Sequence, residues 1–104
     1  MRKRYTYKSI SFDSVPEIAY YIWLTDHGIK FMYHPDIRLI YYDKKMRKHY
    51  YEPDFLLEDT NRLEEIKNRY IMSITSAEKI SCMVNNNVKI IYDEEYKKYI
   101  EYCK

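Results

Sequence analysis

Tyr50-Tyr51-Glu52-Pro53-Asp54-Phe55-Leu56-Leu57, then Glu58-Asp59-Thr60-Asn61, then Arg62-Leu63-Glu64-Glu65-Ile66-Lys67 is the stretch on which the fold turns. Two runs rich in β-branched, aromatic and aliphatic residues flank a polar tetrad, the pattern of a β-hairpin. Side chains alternate across a strand, so Glu65 and Lys67 share one face and Ile66 points to the other. Asp54 on the first strand and Glu65 on the second can then converge on a hard divalent cation, which takes carboxylate oxygens and leaves room for water and phosphate. Lys67, two residues beyond Glu65, is placed to orient or deprotonate an attacking water, or to offset charge growing on phosphorus. The plainer alternative is a solvated hairpin face carrying a Glu/Lys pair.

Working outward, residues 14–27 are expected to form a helix. Ser14 is the N-cap, Pro16 lies in the first turn, Glu17 completes a capping box and Gly28 is the C-terminal stop. The capping box alone accounts for Glu17, although a first-turn residue can also point at a neighbouring sheet edge. Ile18, Tyr21, Ile22 and the Leu24/Thr25 turn make the apolar stripe. Residues 29–42 and 48–57 are expected strands joined by a basic turn at 43–47, and a third strand runs from 63 to about 70, giving an antiparallel meander. A helix over 73–84 follows, capped by Ser76 or Ser73, with Ile80, Met83 and Val84 on one face. Residues 88–92 form a short buried strand reached by a crossover and hence parallel to its neighbour. An amphipathic helix over 93–104 turns Tyr96, Tyr99, Ile100 and Cys103 inward. Residues 2–13 alternate too loosely to decide between strand and coil. The expected class is α/β (α+β), in the order helix, three strands, helix, strand, helix.

The upstream and downstream motifs together carry a resemblance. Pro53-Asp54 followed by Glu65-x-Lys67 resembles the signature of the PD-(D/E)XK nuclease superfamily. Ser14-Val15-Pro16-Glu17, Gly28-Ile29-Lys30-Phe31 and Tyr51-x-Pro53-Asp54-Phe55-Leu56-Leu57 follow the order seen in phage endonuclease I type Holliday-junction resolvases. His34-Pro35 through Tyr41 is also similar to the TnsA N-terminal nuclease domain. The resemblance covers residues 14–67 by motif and the remainder by element order only; Asn68 stands where the resolvases often carry glycine. It implies a restriction-endonuclease-like core, with Asp54 and Glu65 as ligands of Mg²⁺ (Mn²⁺ substituting), the Ile66 carbonyl as a further ligand, Glu17 as the first-helix acid and Lys67 serving the water. It further implies a phage or mobile-element endonuclease that hydrolyses DNA phosphodiesters to a 5′-phosphate and a 3′-hydroxyl. Junction resolution is the first expectation for substrate. Cutting of linear duplex DNA in the TnsA or homing-type manner is the alternative, and a DNA-binding or assembly module that keeps the fold without the chemistry is a third reading. Two cuts need two sites, hence an expected homodimer.

Composition bounds the rest. A chain of 104 residues is the size of one domain, and its fourteen tyrosines oblige the core to satisfy phenolic hydroxyls. A net charge of +2 does not by itself announce nucleic-acid binding, but its distribution is uneven. Arg2, Lys3 and Arg4 make one basic cluster, and Lys44, Lys45, Arg47 and Lys48 another, each a candidate contact to a DNA backbone. Tyr41, Tyr42, Tyr50 and Tyr51 are candidates to stack on bases. Acidic residues gather instead at Glu52, Asp54, Glu58, Asp59, Glu64 and Glu65. Cys82 and Cys103 have neither metal-ligand spacing nor a disulfide framework, pointing to a reducing cytoplasm. No run approaches the roughly 20 apolar residues of a membrane span, and no signal-peptide pattern follows Met1. His27, His34 and His49 lack zinc-site spacing. The His34-Pro35-Asp36 tripeptide of co-chaperone J-domains is expected here between strands, the wrong context for that motif.

Overall fold

The computed structural model describes residues 4–104, in the order β1 (Tyr5–Tyr7), β2 (Ile10–Phe12), α1 (Val15–Asp26), β3 (Phe31–Tyr33), β4 (Leu39–Tyr42), β5 (Lys48–Tyr51), β6 (Phe55–Leu57), β7 (Arg62–Ile66), α2 (Arg69–Ser73), α3 (Ala77–Asn85), β8 (Lys89–Ile91) and α4 (Asp93–Tyr102). The fold is α+β. Its central sheet runs β3-β6-β7-β8, the first three strands antiparallel and β8 parallel to β7. The expected hairpin is present, with Phe55 opposite Glu64 and Leu57 opposite Arg62. Asn61 closes its turn at φ 53°, a left-handed value that Asn tolerates better than most residues.

The two long strands expected at 29–42 and 48–57 are each broken in the middle. At the first break His34 adopts φ 50° and Pro35 follows; at the second, Pro53 has no N–H to give a ladder. The breaks lie side by side, since the His34 N–H donates to the Asp54 carbonyl at 2.8 Å. Between them the chain leaves the central sheet as a separate β4–β5 hairpin, with Leu39 opposite Tyr51 and Tyr42 opposite Lys48. Its tip is organised by Asp43, whose Oδ1 accepts the Lys45 and Arg47 amides at 2.8 and 2.9 Å.

Other boundaries moved for local reasons. Residues 5–12, left open between strand and coil, form the β1–β2 hairpin, turned at Lys8 and Ser9 with φ 48° and 66°. Positive φ at both turn residues matches the twist of an antiparallel pair. The third meander strand stops at Ile66 rather than near 70, because Asn68 caps α2 by accepting the Ile71 N–H at 2.7 Å. Ser76, not Ser73, caps α3 and accepts the Lys79 N–H at 3.2 Å. Met83 is buried as expected, but Val84 is exposed and Cys82 takes the other buried position on α3. Ser14 caps α1 as expected, but the deepest face of that helix is Glu17, Ala19, Tyr20 and Leu24. Cys103 lies exposed beyond α4, and both cysteines are free.

Helices α1 and α4 pack together through Tyr20, Trp23 and Tyr99, with ring centroids 4.7 Å apart for Tyr20–Tyr99 and 5.0 Å for Trp23–Tyr99. They cover one side of the sheet over Phe55, Ile66 and Ile91. On the α3 side, Cys82 and Met83 pack with Tyr51. Strand β7 is therefore buried on both faces, and Glu64, 1% exposed, is buried with it. The Tyr20 hydroxyl donates to Glu64 Oε1, and burial raises the Glu64 carboxyl above its ordinary range against the lowering effect of that bond. Tyr20→Phe should leave the carboxylate without its donor and lower stability by about 1–3 kcal/mol, seen as a lower urea midpoint at unchanged m-value. An unchanged midpoint would show that Glu64 needs no partner from α1.

Candidate functional site

Asp54, Glu65 and Lys67 come together where β6 and β7 leave the Pro53 break. The Asp54 Oδ2 atom accepts the Ile66 N–H at 2.8 Å, which pins the carboxylate against the neighbouring strand. Glu65, 4% exposed, is held from two sides: the Tyr51 hydroxyl donates to Oε1 at 2.7 Å, and the Lys67 ammonium lies 3.3 Å from Oε2. Glu65 and Lys67 share a face, as strand alternation requires. Glu64 occupies the opposite face with Tyr20, so it does not belong to this carboxylate group. Nor do Glu52, paired with Arg38 at 3.3 Å, or Glu58 and Asp59 in the exposed turn.

Glu17 arrives from the first turn of α1. Its N–H donates to Ser14 Oγ at 3.4 Å, and the Ser14 hydroxyl returns a bond to Glu17 Oε2 at 3.0 Å. The same carboxylate also accepts the Tyr33 hydroxyl on Oε1 at 2.6 Å. One carboxylate oxygen thus serves the helix cap and the other the Tyr33 hydroxyl. Burial is the main influence raising the Glu17 carboxyl, opposed by its hydroxyl donors.

The electrostatics tie the three acids together. Asp54 is pushed up to about 8, first by burial, then by the charges of Glu65 and Glu17, with the Ile66 N–H and Lys67 acting against them. Lys79, from α3, is a second cation of this group: its ammonium lies 5.6 Å from the Tyr51 ring centroid, and burial lowers it, reinforced by Lys67 and opposed by Glu65 and Asp54. A cleft of about 190 Å³ opens beside the site, lined by Glu17, Ile66, Lys67, Asn68, Ile71 and Tyr96 among others.

Among the described residues, a group of three ligand-type side chains with donor atoms all within 4.8 Å of one another is formed by Asp13, Glu17 and His34. Glu17 thus belongs to this group, and its charge also acts on Asp54. Asp13 Oδ1 is occluded and has no hydrogen bond among the described residues, although Arg4 Nε lies 3.5 Å away. His34 Nε2 is 3.9 Å from Glu17 Oε1.

Of the remaining expected residues, Arg2 and Lys3 lie outside the described residues. Arg4 is exposed and donates from Nε to Ser11 Oγ at 3.1 Å. Lys44, Lys45, Arg47 and Lys48 sit on the β4–β5 hairpin; Arg47 is paired with Asp43 at 2.7 Å. Tyr51 is buried against Glu65 rather than open to a base, and half-buried Tyr41 stacks on His49 at 5.1 Å. Tyr33, His34 and Lys79 are not legible as site neighbours in the sequence, because β3, the strand break at His34 and α3 bring them to the carboxylates; Asp13, four residues before Glu17, is a local neighbour that its spacing alone does not single out. No protein-family model matches the chain, and neither does any curated protein or solved structure.

The raised Asp54 carboxyl has a definite sign for stability. Between the ordinary aspartate range near 3.8 and about 8, the folded chain keeps a proton that the unfolded chain has lost, so stability falls as pH rises through that window. With EDTA, the midpoint temperature should drop from pH 5 to pH 9, and Asp54→Asn should flatten that drop, gaining about 4–8 °C at high pH for each kcal/mol relieved. Adding Mn²⁺ at pH 8 should raise the parent midpoint and leave that of Asp54→Asn in place. Equal Mn²⁺ responses would remove Asp54 from any cation site.

Proposed function

We propose that the chain is a Mg²⁺-dependent DNA endonuclease with a restriction-endonuclease-like core. The observation that carries this reading is the convergence of Asp54, Glu65 and Glu17, three buried or largely buried carboxylates, with Lys67 3.3 Å from Glu65. The element order supports it: a capped helix, three antiparallel strands, a helical crossover and a parallel fourth strand. Asp54 immediately precedes β6 and Glu65 lies on the adjacent strand β7, with Lys67 just beyond its end, a placement compatible with the PD-(D/E)XK resemblance.

The donor set suits a hard cation. Buried carboxylates that raise one another's proton affinity are also sites that gain from a divalent ion. Asp54 and Glu65 would hold Mg²⁺, with the Ile66 carbonyl and Glu17 as further ligands. Mg²⁺ held by these residues would supply Lewis acidity toward the phosphate and the attacking water. Tyr51 and the Ile66 amide fix the two principal carboxylates before substrate arrives, so little reorganisation accompanies the reaction. Lys67, held beside Glu65, would orient the water. Lys79 adds a second positive charge near the same oxygens, offsetting charge on the transferring phosphate. Arg2, Lys3, Arg4 and the lysines of the β4–β5 hairpin supply backbone attraction, and a homodimer would bring a second site for the opposite strand.

Cleavage of a labelled four-way junction, a linear duplex and a single strand should occur with Mg²⁺ or Mn²⁺ and stop with EDTA. Asp54→Asn and Lys67→Ala should each reduce the rate by about 10²–10³-fold, while Glu52→Gln leaves it unchanged. Activity that survives both site substitutions sinks the mechanism. Equal cutting of junction and duplex removes junction resolution and keeps the endonuclease.

A further inference from the structure

The β4–β5 hairpin has one face accounted for and one open. Leu39, Tyr41 and Tyr51 pack with Cys82 and Met83 of α3. The alternate positions point away from that core: Ile40 pairs across the strands with Tyr50, and Tyr42 with Lys48. Ile40 and Tyr42 are each 50% exposed and Tyr50 is 54% exposed. The cationic ends of Arg38 and Lys48 lie 5.9 and 5.4 Å from the Tyr50 ring centroid. At the tip the acidic residue is already saturated, since Asp43 is bonded to Arg47 and lies 2.9 Å from His49. Lys44, Lys45 and Lys48 have no carboxylate partner among the described residues.

The open face thus joins tyrosine rings to uncompensated positive charge. Its charge complements a polyanion, and its rings suit flat apolar faces, a combination offered by a nucleic-acid strand whose bases are unstacked. A continuous duplex presents phosphates to the lysines but keeps its base faces closed. A second copy of this chain is disfavoured here, because two-fold pairing of the face would gather the same lysines from both copies into one interface.

We infer that the outer face of β4–β5 is a platform for unpaired DNA nucleotides, with Tyr50 stacking on a base and Lys44, Lys45 and Lys48 holding the flanking phosphates. The inference rests on the reading of the carboxylate site as a DNA-cleaving centre and narrows its substrate to DNA carrying a single-stranded arm or gap. A four-way junction with every base paired would gain no more from the platform than a duplex does.

The test separates the two readings because it is run without cleavage. Fluorescence anisotropy in EDTA would compare a splayed-arm DNA, a continuous duplex of the same sequence and a four-way junction, all fluorescein-labelled. The splayed arm should bind about tenfold or more tightly than the other two. Tyr50→Ala should weaken splayed-arm binding by about 5- to 100-fold, the equivalent of one lost base stack, and leave duplex binding nearly unchanged. Tyr50→Trp should preserve the preference. Lys44→Ala with Lys45→Ala should weaken all three substrates and reduce the salt slope by about 1.5. Equal affinity for the three DNAs overturns the platform, as does unaltered splayed-arm binding by Tyr50→Ala in a variant shown to be folded by its midpoint temperature. Tighter binding of an RNA strand, or sedimentation showing that Tyr50→Ala dissolves a homodimer, overturns it in favour of another occupant. Splayed-arm preference lost with Tyr50→Ala, but no Mg²⁺-dependent cutting of any substrate, supports the platform and sinks the nuclease reading alone.

Discussion

Strand β7 buries two consecutive carboxylates, Glu64 and Glu65, one on each face of the central sheet. An ionised carboxylate is expensive to remove from water unless it is paired and hydrogen-bonded. Each of the two is met by a tyrosine hydroxyl from a different layer, Tyr20 of α1 on one side and Tyr51 of β5 on the other. These two bonds tie α1 and the inserted hairpin to the same strand. They also explain why a core of this size can be built with so many phenols: the hydroxyls are not merely tolerated at its edge but serve as donors to buried acids. Tyr33 repeats the arrangement with Glu17.

The two faces of β7 have different consequences. Glu64 is isolated from other carboxylates of the site and ends in a hydrophobic layer containing Tyr20, Phe55 and Tyr99. Glu65 shares its side with Asp54, whose proton affinity it raises, and with Lys67. Two chemically identical neighbours in sequence are therefore divided by strand alternation into a structural acid and a site acid. The break at Pro53 reinforces the division. It frees Asp54 from the ladder so that its side chain, rather than only its backbone, bonds across to Ile66. The same break, beside that at His34, lets the β4–β5 hairpin leave the sheet, and the hairpin returns Tyr51 to Glu65 while carrying its lysines outward.

Much of this is local and was legible in the chain. The α1 cap at Ser14, the turn around Asn61, the shared face of Glu65 and Lys67, and the parallel placement of β8 follow from capping, turn chemistry, alternation and crossover connections. The interruptions at His34 and Pro53 were harder to read because each proline sits within an otherwise strand-like run, and an edge position would have tolerated it. On α3 the expected face holds at Met83 and fails at Val84, since its apolar residues, Ile80, Cys82, Met83 and Val84, admit two stripes; packing with Tyr51 selects Cys82 and Met83.

Sequence by itself determined the α+β class, the hairpin with its turn at 58–61 and the presence of two carboxylates and a lysine at strand spacing, since these depend on residues a few positions apart. Tertiary structure alone decided that Tyr33, Tyr51 and Lys79 join the carboxylates, that Glu64 does not, and that the basic hairpin stands apart from the central sheet. Burial and long-range contact produce those outcomes: a carboxylate's donors and proton affinity depend on which distant side chains exclude water from it, and no spacing along the chain encodes that directly.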